Sequence, residues 1–124
     1  MYQVKILTHF AAAHGLRNFQ GKCEALHGHN WKVEVTVSGT ELDKAGMLID
    51  FAALKKYTGQ VMEELDHTHL NELVPFAEIS PSSENIARFI YDNLEGMLAQ
   101  EKVKLVRVDC WESDNSRASY LGPA

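Results

Sequence analysis

Between His27 and Ser38 the chain alternates between two kinds of residue. His27, His29, Trp31, Val33, Val35 and Val37 share one parity. Asn30, Lys32, Glu34, Thr36 and Ser38 share the other. Successive side chains of a strand point to opposite faces, so this is a strand with one face on a core and one toward water. Clean alternation of this kind belongs to antiparallel sheets covered on one side only. The pattern also places two imidazoles on the core-facing side, where the strand begins.

A second alternating segment lies upstream. Val4, Ile6, Phe10, Ala12 and His14 fall on one strand face, with Thr8 as the polar exception. A loop over residues 15–21 follows. If the two strands pair as a hairpin, His14, His27 and His29 converge. Gly28, between two of them, leaves room for a neighbouring backbone. Three histidines with no fourth protein ligand match a catalytic zinc with one open position. Imidazole also suits copper, nickel and iron. The competing reading is that these are core histidines satisfied by hydrogen bonds. It weakens for three on one face, but it stands for His9, on the opposite face, and for His69, which has no partner at ligand spacing.

The rest of the chain supplies further elements. Residues 47–49 suit a short strand. Asp50 suits the cap of a helix running to about Leu65, with Phe51, Leu54, Val61, Met62 and Leu65 as its apolar stripe. Residues 66–80 are irregular. Pro81-Ser82-Ser83-Glu84 opens a second helix to about Gln100, striped by Ile86, Phe89, Ile90, Leu94, Met97 and Leu98, with Gly96 inside it. Residues 103–112 form a last long strand with Val106, Val108, Cys110 and Glu112 on one face. A short strand near residues 118–121 follows. Strands then helices in this order indicate an α+β domain with helices on one sheet face. The 124 residues suit a single domain, 1–124.

Composition narrows the partners. The formal charge is −5, which argues against a nucleic-acid partner. No apolar run approaches the roughly 20 residues of a membrane helix, and the N-terminus carries Lys5 and no long apolar core. The two cysteines, Cys23 and Cys110, are expected as free thiols in a cytoplasmic enzyme.

Four residues beside the histidines carry chemistry. Cys23 precedes His27 in the loop, and a thiol whose pKa is lowered by a nearby cation or metal suits a general base. It is also a candidate fourth zinc ligand. Asp66-His67 ends the first helix, where the acid orients the histidine, although a histidine favoured by the helix dipole looks the same. Glu112 continues an apolar face, so its carboxylate needs a partner. A ligand with ring N–H and amino donors provides one, as does an internal salt bridge. Cys110 on that face is an inert core residue.

Phe10-Ala-Ala-Ala-His14, Cys23-Glu-Ala-Leu-His27-Gly-His29, Leu65-Asp-His67 and Trp111-Glu112 together resemble the 6-pyruvoyltetrahydropterin synthase superfamily, in order and along essentially the whole chain. The short gap between Cys23 and His27 is similar to the bacterial 6-carboxytetrahydropterin synthase branch of queuosine biosynthesis; the animal pyruvoyl-forming enzymes carry a longer one. Ser82-Ser83-Glu84-Asn85 resembles the family's segment before the second helix, with serines where threonines are usual.

The resemblance implies a tunnelling fold, a four-stranded antiparallel sheet with two helices on one face. It implies a homohexamer built as a dimer of trimers, with active sites at subunit interfaces. The implied substrate is 7,8-dihydroneopterin triphosphate, cleaved to 6-carboxytetrahydropterin, acetaldehyde and triphosphate. Carried over by motif, His14, His27 and His29 hold Zn2+, Cys23 accepts a proton, His67 relays it, Asp66 orients His67, and Glu112 anchors the pterin ring. Ser82 and Ser83 would bind substrate. Arg17 and Lys22 are candidates for the triphosphate. The alternatives are the pyruvoyl-forming reaction and a non-catalytic metal- or pterin-binding module.

Overall fold

The computed structural model describes residues 1–124. Strands β1 (Tyr2–His14) and β2 (His27–Gly39) pair antiparallel along their whole length, from Tyr2 opposite Gly39 to His14 opposite His27. Helix α1 spans Phe51–Leu65. A two-residue strand, β3 (Thr68–His69), follows it, then α2 (Ser83–Met97), β4 (Lys104–Ser113) and β5 (Ser116–Tyr120). The sheet order is β3-β1-β2-β4-β5. No helix is long and apolar enough to cross a membrane.

The fold is the expected α+β arrangement with two helices on a sheet, with a difference at its edge. The sheet has five strands, not four. Residues 47–49 form no strand, although Ile49 is buried. The additional strand is β3, which pairs parallel to β1 through Ala12–Thr68 and Ala13–His69.

Alternation sets the core as the sequence indicates. Ile6, Phe10, Trp31, Val33, Val35 and Val37 are buried against Leu54, Val61, Leu65, Ile86, Ile90 and Leu94 of the helices. Each fully buried aliphatic side chain contributes about 1.5–3 kcal/mol. Phe51 is exposed at the helix start, and Thr58 takes a buried place, its hydroxyl donating to the Leu54 carbonyl at 2.8 Å. Asp50 caps α1 by accepting from the Ala52 amide at 2.8 Å. Helix α2 stops at Met97, and residues 98–100 tighten into a 3-10 turn.

Strand β4 departs from simple parity. The β2–β4 register shifts between Thr36 and Val37, which oppose Arg107 and Leu105. Val106 is the extra residue, so Leu105 takes the core position expected for Val106. Val108 and Cys110 are buried as expected. The outer face holds a buried carboxylate, Asp109, whose oxygens meet Arg107 Nε at 3.0 Å and Arg117 at 3.6 Å and accept from the Ser119 hydroxyl.

Candidate metal centre and active site

The β1–β2 ladder ends on histidines. Its last pair is His14 opposite His27, and His29 lies two residues along β2 on the same face. The three rings approach edge to face, with centroids 4.7 to 5.2 Å apart. They stand on the fully buried Trp31 ring, 4.8 Å from His14 and 5.1 Å from His29. Trp31 is itself fixed, since its Nε1–H donates to the Ala12 carbonyl at 3.2 Å and its ring stacks on Phe10.

Hydrogen bonds set which ring nitrogen faces inward. His14 Nδ1 lies 2.7 Å from the Pro81 carbonyl, and His27 Nδ1 lies 2.9 Å from the Ala25 carbonyl. A carbonyl only accepts, so Nδ1 carries a proton in both rings and Nε2 is the nitrogen turned toward the cluster. Glu112 Oε1 sits among these nitrogens, 3.3 Å from His14 Nε2, 4.0 Å from His27 Nε2 and 2.9 Å from His29 Nε2. One donor atom from each of the four residues fits within a 4.8 Å span. Tetrahedral donors at zinc bond lengths stand about 3.3 Å apart.

The arrangement has the electrostatics of a cation site. Nε2 of His14 and of His29 is buried without a hydrogen-bond partner. The His29–Glu112 contact is short but not aligned as a hydrogen bond. Lone pairs converging on a carboxylate oxygen repel each other unless a positive charge lies between them. Burial also lowers the pKa of His29, against the opposing pull of Glu112. That favours the neutral, ligating ring. The donor set of nitrogen and oxygen therefore fits a divalent metal ion such as zinc.

The loop carrying Cys23 is clamped beside this cluster. The Gly15 amide donates to Asn71 Oδ1 at 2.9 Å, and Asn71 Nδ2 donates to the Gly15 carbonyl at 2.7 Å. A Cβ on Gly15 would lie 2.7 Å from the Glu24 carbonyl oxygen, so only glycine allows this crossing. At Gly28 the nearest atom to such a Cβ is 3.9 Å away, so the close approach expected there occurs at Gly15 instead. Glu24 ties the loop to the metal face: its Oε1 accepts from the Leu16 amide at 3.2 Å and lies 3.9 Å from His27 Nδ1.

Cys23 is an exposed free thiol in a cavity of about 150 Å3, shared with Arg17, Glu24, His69 and Asn71. Cys110 is buried, and burial pushes its thiol pKa up, which keeps it inert. Arg17 is committed to the backbone, donating to the carbonyls of Ile79 at 2.7 Å and Asn71 at 3.0 Å. These two bonds tie the Ile79 and Asn71 loops to the start of the Cys23 loop. Lys22 remains exposed.

The Asp66–His67 pair forms. His67 Nδ1 is 3.0 Å from Asp66 Oδ2, and the His67 side chain is 83% exposed. It does not line the Cys23 cavity, whereas His69 does. His67 holds a left-handed backbone, φ 57°, as the chain turns from α1 into β3. Asp66 Oδ1 accepts from the Ala11 amide at 2.8 Å. That bond, with the help of His67, lowers the Asp66 pKa. Ser82 is the N-cap of α2, accepting from the Asn85 amide at 3.2 Å, and Ser83 begins the helix. Both follow Pro81, which orients His14.

Sequence reasoning missed Trp31, Asn71, Glu24 and His69. Trp31 shares the parity of His27 and His29, and that was a usable signal. The other three act through loop contacts that no periodicity encodes.

Known proteins resemble this chain along almost its whole length. The sequence model of a family described as 6-pyruvoyl tetrahydropterin synthase matches residues 3–123. The chain is 44% identical over 107 residues to human 6-pyruvoyl tetrahydrobiopterin synthase, covering 82% of this chain and 72% of the human one. It is 37% identical over 119 residues to 6-carboxy-5,6,7,8-tetrahydropterin synthase of Bacillus subtilis, covering 90% and 80%. The structure of Caenorhabditis elegans 6-pyruvoyl tetrahydropterin synthase superposes with a TM-score of 0.83 at 27% identity, over 98% of this chain and 96% of that one.

Proposed function

Since the chain belongs to the 6-pyruvoyl tetrahydropterin synthase family, we propose that it is a zinc-dependent 6-carboxytetrahydropterin synthase. In this reading it converts 7,8-dihydroneopterin triphosphate and water to 6-carboxy-5,6,7,8-tetrahydropterin, acetaldehyde and triphosphate, for queuosine biosynthesis. The observation that carries it is the convergence of three imidazole nitrogens on one point, two of them buried and unpartnered, beside a clamped loop that presents an exposed thiol. The short gap between Cys23 and His27 supports the carboxy-forming branch.

His14, His27 and His29 would hold the metal. When bound, the ion supplies Lewis acidity toward side-chain oxygens of the substrate. Cys23 would take a proton from the side-chain carbon beside it. His67 would relay that proton, held in orientation by Asp66. Glu112 would bind N–H donors of the pterin ring and keep the reacting carbon in register with the base. Ser82 and Ser83, next to Pro81, would donate hydroxyl hydrogen bonds to substrate.

Because His67 stands exposed outside the cavity of its own Cys23, we assign the relay to a neighbouring copy. Sites shared between subunits would belong to the homohexamer of two trimers that the family resemblance implies. The two free thiols suit a cytoplasmic setting.

The second reading is 6-pyruvoyltetrahydropterin synthesis, favoured by the 44% identity to the human enzyme. A product assay separates them. Metal-loaded protein given 7,8-dihydroneopterin triphosphate should release acetaldehyde in step with a carboxypterin. A pyruvoyl product without acetaldehyde establishes the second reading. No turnover of this substrate overturns both.

A further inference from the structure

Three of the four donors at the metal cluster stand on paired ladder residues, and the fourth does not. His14, His27 and His29 sit on the fully paired β1–β2 ladder. Glu112 lies beyond Trp111, the last β4 residue paired with β2. It is also the unpaired residue where the β4–β5 register shifts between Trp111 and Ser113. A bulge residue is freed from its ladder and its side chain is re-aimed, often next to an active site. The Glu112 side chain is 37% exposed, about as open as His27 at 36% and more open than His29 at 24% or His14 at 2%.

The chemistry favours ligation by this carboxylate. Three neutral imidazoles leave a dication uncompensated, so an anionic fourth donor is favourable. Oε1 makes all the approaches to the imidazoles. Yet a catalytic site needs one exchangeable position, and Glu112 is the one of the four whose own residue has no ladder partner.

We propose that Glu112 is a displaceable fourth metal ligand: Oε1 completes the donor set before substrate arrives, and the carboxylate then leaves it for the N–H donors of the incoming pterin ring. The pterin half of this exchange rests on the reading under Proposed function. One side chain would thus couple ring recognition to opening of the metal, so that the open position exists only when a ring is present to claim the carboxylate. Oxygen of the substrate side chain, or water, then has access to the vacated position.

Cobalt(II) and zinc binding to the purified protein test this without turnover. Zinc affinity is measured by competition with a chromophoric chelator in wild type and Glu112→Gln. The visible spectrum of the cobalt form is recorded with and without neopterin, a stable pterin carrying a hydroxylated side chain. Glu112→Gln should weaken zinc by about tenfold or more, as loss of a supporting group does at such sites. Its cobalt spectrum without neopterin should differ from that of wild type. Neopterin should shift the wild-type spectrum. Equal zinc affinity and equal cobalt spectra in the two proteins overturn ligation by Glu112. A wild-type spectrum unchanged by saturating neopterin overturns displacement, and this arm needs no variant. The product assay is independent of both arms, so the catalytic reading and this one fail separately.

Discussion

The imidazole of His14 is bonded through Nδ1 to the carbonyl of Pro81, 2.7 Å away. One hydrogen bond therefore joins the end of β1 to the residue before the α2 cap. It fixes the tautomer that leaves Nε2 for a metal, and it makes the start of α2 part of the site's support. Because the acceptor is backbone, substitution at Pro81 leaves the carbonyl in place but removes the ring that holds it.

The metal shell gives the first prediction. His27→Ala should lose stoichiometric zinc and turnover together, because a tetrahedral shell with one nitrogen gone no longer closes. Elemental analysis of purified variant and wild type measures it. Full metal content in the variant would refute the assigned shell.

Cys23→Ala should behave in the opposite way. Metal content should stay at the wild-type level while turnover falls by about 10²- to 10⁴-fold, the usual worth of a positioned proton acceptor. If zinc is lost as well, Cys23 is a ligand and the proton role moves elsewhere.

Sharing of sites between copies is open to a mixing test. Cys23→Ala and His67→Ala should each be inactive alone. When the two are unfolded, mixed and refolded together, hybrid oligomers carry some sites with both residues intact, and activity should reappear. A mixture that stays as inactive as its parts would mean that Cys23 and His67 act within one chain.

The loop clamp has a measurable stability. Asn71→Ala leaves the Gly15 amide and carbonyl without their partner, and about 1–3 kcal/mol of unfolding free energy should be lost. Gly15→Ala should also destabilise, since its methyl would meet the Glu24 carbonyl at 2.7 Å. Urea unfolding of both variants checks this. Wild-type midpoints would remove the clamp from the account.

Asp66 makes stability depend on acid. Its carboxyl pKa is lowered in the folded chain, first by the Ala11 amide and then by His67. The unfolded chain therefore binds this proton more readily, so stability rises with pH in that range. The contribution is fully present above the unfolded value, about 3.9, and is lost as pH falls through the lower folded value. Asp66→Asn should flatten the acid limb of a stability-versus-pH curve. An unchanged limb would assign the acid sensitivity to other carboxylates.

The hairpin and its histidines were legible because parity alone decides which side chains share a face. His14, His27 and His29 needed only the pairing of β1 with β2 to meet. The two helices followed from apolar spacing, from the cap at Asp50 and from the opening Pro81-Ser82-Ser83-Glu84, in which the fold makes Ser82 the cap. Strand β3 was not legible, since two residues carry no period and their strand character comes from Ala12 and Ala13 across the ladder. Val106 was misplaced because a bulge breaks parity and leaves no mark in composition. Arg17 was legible only as a candidate for the triphosphate, and the fold adds the Ile79 and Asn71 carbonyls that take two of its donors.

The pairing of His14 with His27 at the end of two paired thirteen-residue strands has one more consequence. A slip of a single residue along that hairpin would turn the buried valines to water and scatter the imidazoles in the same event. An ion held by these three imidazoles would then proofread assembly: a chain that has zipped incorrectly has nothing to offer a metal.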